Sequence, residues 1–311
     1  MDASYEFWTD KYMPQHLDEI IGQDSNIKRL KRLSKLKVIP HIIISGNSGV
    51  GKTLSVKCFL KEMGIKRNNI LDVNITEDIR KATIIKKKIY NFVDKKMDRK
   101  VILIDDCDIL NTQMQFLIKS IMEKARENLT IIMICNQIEN IIETIQSRSI
   151  LLRFKKINDQ KIKEYLSDIC KKEKIKSLKE EVLSTIVLCS LGDIRRAINN
   201  LQTICVSFNE YDKITTDDVY DILEIPQPKI IRGIIEDGDY TNMLKTLNKV
   251  IKMGYSTNDI IVSFFNVVKD MDIDIDKKIK YIDEITFTNI KINDGLDSRL
   301  QLYKLLISFL D

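Results

Sequence analysis

The sequence predicts an α/β domain built on a parallel sheet, followed by two all-α domains. Three features predict it. Short apolar, β-branched runs alternate with amphipathic stretches through the first half of the chain. A phosphate-loop motif, "GNSGVGKT" (46–53), stands where one such run gives way to a helical stretch. After Phe154 the strand-like runs stop and only helical periodicity continues.

The elements follow in order. "HIIIS" (41–45) is apolar, β-branched and bounded by turn residues, so it reads as a buried strand. "ILDVN" (70–74), "VILIDD" (101–106), "TIIMICN" (130–136) and "ILLRF" (150–154) repeat the pattern. Helical stretches lie between them at 53–63, 79–93 and 112–124. Continuous apolar runs, rather than alternation, predict a sheet covered on both faces. Residues 158–223 read as helices interrupted at Gly192 and at "KITTDD" (213–218), whose threonines suit a helix N-cap. "IPQP" (225–228) reads as a linker, and helical patterns resume at 258–271 and 296–310. The expected domains are 1–155, 156–226 and 227–311.

Bulk properties narrow the class. The 311 residues are 44% hydrophobic and 31% charged, the balance of an ordered, helix-rich chain rather than a tail or fibre. No run of about 18 apolar residues occurs, so no membrane span is expected. The start, "MDASYEFWTDKY", lacks the pattern of a secretory signal. The six cysteines have no CxxC spacing, which argues against a zinc module and for small core residues in an intracellular protein. Net charge is +5, with lysines clustered at 86–88 and between 161 and 179. These clusters are either solvated helix faces or a phosphate-backbone footprint, and charge alone does not choose between them.

The phosphate loop comprises Gly46, Asn47, Ser48, Gly49, Val50, Gly51, Lys52 and Thr53. Its glycines let backbone N–H groups close around phosphate oxygens at a helix N-terminus. Lys52 is expected to reach the β/γ-phosphates and Thr53 to hold Mg²⁺. The matching acids are Asp105, for the Mg²⁺ shell, and Asp106, placed as the base that polarises attacking water. The plainer reading is that both merely end a strand at a loop. No NKxD-type guanine reader is present, which favours ATP as the nucleotide.

Several motifs then resemble one family. "WTDKYMPQHLDEIIGQ" (8–23) is similar to the opening of clamp-loader small subunits, the replication factor C family. "PHIIISGNSGVGKT" (40–53), "VILIDDCDIL" (101–110), "ICNQIENIIETIQSRSILLRF" (134–154) and "GDIRRAINNLQ" (192–202) resemble its Walker A, Walker B, sensor 1-to-finger and sensor 2 segments in order. "ITTDDVY" (214–220) and the Gly295 region resemble the end of its lid and its collar. The resemblance implies the AAA+ fold: a RecA-like parallel-sheet domain, a helical lid and a helical C-terminal collar. It implies a hetero-pentamer that opens a sliding clamp on primer–template DNA. It places such a chain in the nucleus, or at a site of viral DNA replication.

The resemblance also implies residue roles. Asn136 matches sensor 1, Arg195 matches sensor 2, and Arg148 matches the finger arginine that acts on a neighbouring subunit's ATP. Tyr12, Pro14, Ile21 and Gly22 would line the adenine pocket. Arg80, Lys86 and Thr112 match positions that meet the DNA backbone, and Lys81 adds a cation beside them. Ile85, Ile89, Tyr90 and Phe92 form an apolar face for either core packing or clamp contact. Asp106 replaces the family's glutamate, Met13 an arginine, Ser149 a cysteine, and Asn47 and Ser48 two prolines. Those departures leave open an ATP-binding, slowly hydrolysing structural subunit. Another AAA+ DNA-remodelling ATPase is a third reading, and it predicts a β-hairpin wing beyond residue 230.

Overall fold

The computed structural model describes residues 6–74, 82–95, 97–124, 128–175, 178–208, 210–296 and 298–310. The chain divides into two compact units, Met1–Lys176 with Ile186–Gln202, and Ser177–Thr185 with Thr203–Asp311.

The first unit is organised by a sheet of β1 (His41–Ser45), β2 (Ile70–Asn74), β3 (Lys100–Asp105), β4 (Leu129–Cys135) and β5 (Ser149–Arg153). The strand order is β2-β3-β4-β1-β5 and every pairing is parallel. Successive residues of each strand serve opposite cores, as period-two geometry demands. Ile42, Ile44, Val101, Leu103, Ile132 and Ile134 pack on one face. Ile43, Ile102, Ile104, Ile131 and Met133 pack on the other. Helices α2 (Asp24–Leu33) and α3 (Lys52–Glu62) cover the first face through Ile27, Leu30, Val56 and Phe59. Helices α4 (Ala82–Val93) and α5 (Thr112–Lys124) cover the second through Ile89, Phe92, Met114, Ile118 and Ile121. The expectation of a two-sided parallel sheet therefore holds.

The register fixes the site. Ser45 at the end of β1 lies opposite Cys135 of β4 and Arg153 of β5, and Asn74 lies opposite Asp105. The chain leaves β1 between neighbours that come much later in sequence. This is the switch point at which α/β sheets bind ligands beyond their strand ends.

Expected boundaries shift by a residue or two. Asp106 lies just past β3, in left-handed backbone at φ 52° and ψ 42°, and so turns away from the strand direction. Short α1 (Trp8–Lys11) and α6 (Glu143–Gln146) are additions to the expected pattern, whereas α7 (Asp159–Lys172), α8 (Glu180–Ser190) and α9 (Ile194–Ser207) follow it, with the break at Gly192 between α8 and α9. All six cysteines are buried.

The second unit contains α10 (Thr216–Ile222), α11 (Pro228–Glu236), α12 (Tyr240–Lys252), α13 (Thr257–Asp270), α14 (Ile275–Asn293) and α15 (Ser298–Ser308). Thr215 forms the expected N-cap, a reciprocal capping box with Asp218. Pro228 occupies the first turn of α11, where its missing N–H costs nothing. Ile231, Met243, Leu247, Phe264 and Leu306 centre a separate core. Tyr281 closes it, its ring edge-on to Phe309 at 4.9 Å and its hydroxyl donating to the Phe309 carbonyl at 3.0 Å. Among the described residues no strand occurs after Arg153, so the wing expected of the third reading is absent from them. No described helix is long and apolar enough to cross a membrane.

Candidate active site

A cavity of about 590 Å³ opens at the carboxyl ends of the strands, lined by Ser48 through Leu54, Asp105, Asp106, Asn136 and Arg195. Tyr12, Pro14 and Ile21 line its other end, with Met13, Ile157, Tyr165 and Ile198. The lining is thus polar around the phosphate loop and carries most of its apolar side chains around the N-terminal segment. Gly46 and Asn47 stand just outside the lining and enter through their carbonyls.

The Nζ of Lys52 donates to Gly46 O at 2.7 Å, Asn47 O at 2.8 Å and Asn136 Oδ1 at 2.8 Å. One ammonium thereby joins the loop after β1 to the end of β4. Burial pulls its pKa below the ordinary lysine value, opposed by the charge of Asp105. Thr53 donates its hydroxyl to Asp105 Oδ2 at 2.9 Å, and Asp105 Oδ1 accepts from the Asp106 N–H at 3.0 Å. The Thr53 and Asp105 oxygens are hard donors of the kind Mg²⁺ takes. Among the described residues no cluster of three or more His, Cys, Asp or Glu could hold a metal. A cation here would therefore complete its shell from phosphate and water, as Mg²⁺ does in nucleotide sites.

Burial raises the Asp106 carboxyl above the usual carboxylate range, reinforced by the charges of Asp105 and Asp108. Asp108 has a role that the sequence did not announce. Its Oδ2 accepts from both the Asn136 and Gln137 N–H groups at 3.1 Å. It therefore anchors the turn carrying Asn136, across 28 residues of sequence. Only its place in the run after β3 signals it.

The glycine of the loop that matters most is Gly49. Its φ is +68°, and a Cβ there would fall 1.9 Å from the Asp193 carboxylate. The Ile194 N–H donates to Gly49 O at 3.2 Å. The phosphate loop thus packs directly on the start of α9, which carries Arg195.

The N-terminal segment ties α3, α7 and α9 around the apolar half. Tyr12 donates its hydroxyl to Glu173 at 2.6 Å, and its carbonyl accepts from the Tyr165 hydroxyl at 2.9 Å. Burial, followed by the Glu173 hydrogen bond, raises the Tyr12 phenol, which keeps it a neutral donor. Gln202 accepts from the Trp8 N–H at 2.9 Å and donates to Glu6 O at 3.1 Å. Leu17 donates its N–H to Glu62 on α3 at 3.0 Å.

Not every candidate converges here. Gly22, with φ +77°, lies against Ile157, whose Cγ2 would be 2.8 Å from an added Cβ, and it does not line the cavity. Arg148 is also outside the lining. It donates to Glu123 Oε1 at 3.1 Å and Thr144 O at 2.9 Å on the exposed surface. Lys86 and Thr112 are exposed at α4 and the start of α5. Arg80 and Lys81 lie outside the described residues, as does the side chain of Ile85. Ile89 and Phe92 are buried in the core, while Tyr90 is exposed.

Sheet, phosphate loop, acid pair and helical cap together define a P-loop ATPase fold of the AAA+ class. Residues 42–157 match the ATPase family associated with various cellular activities. Residues 159–219 match the RFC1-like AAA+ ATPase lid domain, and residues 226–308 the replication factor C C-terminal domain. A protein of Acanthamoeba polyphaga mimivirus named for the replication factor C small subunit is 36% identical, over 95% of this chain and 93% of that protein. Replication factor C subunit 4 of Schizosaccharomyces pombe is 31% identical over 96% and 90% of the two chains. The Archaeoglobus fulgidus replication factor C small subunit is 30% identical over 96% and 95%. The chain belongs to the replication factor C small-subunit family. Among solved structures, the Thermotoga maritima RuvB Holliday junction branch migration motor shares the fold, with a TM-score of 0.58 at 19% identity over 81% of this chain and 90% of that one.

Proposed function

We propose that the chain is a small subunit of a replication clamp loader, binding ATP with Mg²⁺ and hydrolysing it while a ring-shaped clamp is opened and placed on primer–template DNA. The observation that carries this reading is the convergence of Lys52, Thr53, Asp105, Asp106, Asn136 and Arg195 on one cavity. The near full-length relatives support the same reading.

Lys52 exchanges carbonyl acceptors for the β/γ-phosphates. Its contact with Asn136 keeps an amide beside the place where the γ-phosphate ends. Thr53 and Asp105 would hold Mg²⁺, which would supply neutralising charge to the phosphates. Asp106 accepts the proton of the attacking water. Arg195 senses the γ-phosphate from α9, and through the Gly49–Ile194 contact the loop and α9 move together. Tyr12, Pro14 and Ile21 hold the base, with Gly22 fixing the segment behind them. Arg148, exposed and outside its own cavity, serves a neighbour's site in a hetero-pentamer, a contribution of about 10³–10⁵ in rate. Arg80, Lys81, Lys86 and Thr112 meet the DNA backbone, which carries no sequence information. We place its work at nuclear or viral sites of DNA replication and retain the division at 155/156 and 226/227.

The left-handed backbone and short side chain of Asp106 favour a second reading, in which hydrolysis is slow and the subunit chiefly positions partners. One experiment separates the two. The chain is assembled with the other replication factor C subunits and clamp of its source, and ATPase and clamp loading are measured with and without primed duplex. The main reading predicts stimulation by clamp and DNA, lost with Lys52→Ala; equal loading by wild-type and Lys52→Ala assemblies sinks it. The second predicts near-normal loading with Asp106→Asn but none with Arg148→Ala.

A further inference from the structure

One short run early in the chain is strongly basic. Lys28, Arg29, Lys31, Arg32, Lys35 and Lys37 are six of its 50 Lys and Arg, with no acid among residues 28–37. The other 44 cations stand against 45 Asp and Glu. Without this run the formal net charge would be −1 rather than +5.

The structure spreads this run into a solvent-facing ridge. Ile27, Leu30 and Leu33 turn into the core of the first unit, so helical periodicity puts Lys28, Arg29 and Arg32 on the opposite, exposed face of α2, and Lys35 is exposed just past its end. Lys28 and Arg32 lie along one stripe of α2, about one helical turn apart. Past the helix, Lys37 reaches the amino-terminal edge of the sheet. There Arg99, just before β3, donates to the Lys37 carbonyl at 3.4 Å. At the other end of α2, Asn26 donates to the Arg153 carbonyl at 2.8 Å, and Gln23 to the Lys155 carbonyl at 2.7 Å. Arg153 and Lys155 are both exposed. The nearby acids are already engaged: Asp18 pairs with Lys31, and Asp24 with Lys161 at 2.8 Å. Arg29, Arg32, Lys35 and Lys37 have no side-chain hydrogen bond or ion pair among the described residues. None of the ridge lines the nucleotide cavity.

We infer that this ridge is a sequence-independent binding site for the phosphate backbone of duplex nucleic acid, separate from the α4 and α5 positions assigned above. The inference does not rest on the nucleotide site. Exposed cations a helical turn apart, continued by Lys35 and Lys37 beyond the helix, match the closely spaced charges of a polyanion. A membrane surface fits less well, because the apolar face of α2 is spent in the core and cannot insert. An acidic protein also fits less well. Protein interfaces centre on aromatic or aliphatic anchors and are depleted in lysine, whereas the ridge offers only the exposed Leu36 and Val38.

The test is fluorescence anisotropy of the full chain with a labelled blunt duplex of scrambled sequence, across about 50 to 200 mM salt. Four proteins are compared: wild type, Arg29→Gln/Arg32→Gln/Lys35→Gln, the charge-keeping Arg29→Lys/Arg32→Lys, and Lys86→Gln/Lys87→Gln/Lys88→Gln. Each backbone contact adds about 0.9 to the slope of log K against log salt. Neutralising three should flatten the slope by about 2.7, so the advantage of wild type shrinks about 40-fold across that salt range. The charge-keeping variant should stay within about twofold of wild type. If the triple does not fold by thermal melting, Arg32→Gln alone should flatten the slope by about 0.9. An unchanged slope in the ridge variants, with all loss confined to the 86–88 variant, overturns the ridge and leaves the other contacts standing. Absence of duplex binding by wild type overturns it too, as does loss of poly-glutamate binding with duplex binding intact.

Discussion

Lys52 and Asn136 are joined by a 2.8 Å hydrogen bond from Nζ to Oδ1, across 84 residues of sequence. The phosphate loop and the end of β4 therefore share one ammonium. Removing the amide leaves Lys52 its two loop carbonyls, so binding and turnover should separate. Asn136→Ala is expected to change ATP affinity by less than about tenfold while lowering turnover about 10²-fold, the cost of misplacing the reacting groups. Equilibrium binding alongside single-turnover hydrolysis checks this.

Asp108 supports that arrangement from beneath. Losing its carboxylate deprives the Asn136 and Gln137 amides of their acceptor. Asp108→Ala should cost about 1–3 kcal/mol of stability, read from denaturant midpoints, and slow turnover alongside. Asp108→Asn keeps one acceptor oxygen and should fall between Ala and wild type in both measurements.

Gly49→Ala tests the contact between loop and α9. The new Cβ meets the Asp193 carboxylate at 1.9 Å, in backbone that already disfavours a side chain. The start of α9 must move, taking Arg195 with it. ATP affinity is expected to fall about tenfold or more, since each 1.4 kcal/mol of strain is a factor of ten. Titration calorimetry measures it.

Asp106 gives a pH signature. Its carboxyl pKa is raised by burial and by Asp105 and Asp108. A raised acid contributes stability that is fully present below its unfolded pKa and lost as pH rises through its folded pKa. At neutral pH the charged Asp106 is therefore a burden. Asp106→Asn should raise the melting temperature at neutral pH, and the charge-linked part of that gain should vanish as pH falls through the raised pKa. Any preference of asparagine for left-handed backbone is independent of pH and appears as a constant offset.

The sequence made the sheet and the phosphate loop legible because both are local. Apolar β-branched runs ending at Ser45 and Asp105 can be read residue by residue, and Gly46 to Thr53 is a contiguous motif. Tyr12, Pro14 and Ile21 were reachable only through resemblance, since nothing local says that an N-terminal segment folds back over α3 and α7. Asp108 escaped because its partners are backbone amides of a distant turn. Gly22 was named for the adenine pocket; in the fold its missing side chain makes room for Ile157 instead. Helix α2 went unread although Ile27, Leu30 and Leu33 mark its buried face, and with it went the basic run on its outer side. The lysine clusters at 86–88 and beyond 161 are more conspicuous by eye.

We propose the cavity beyond β1 as an ATP·Mg²⁺ site built on Lys52. Titration calorimetry of the full chain with ATP and Mg²⁺ tests it most directly, comparing wild type with Lys52→Ala. The account predicts saturable binding by wild type that weakens at least about 10²-fold in the variant, the scale of losing a buried charge-assisted contact to phosphate. Equal affinity of the two proteins would contradict it.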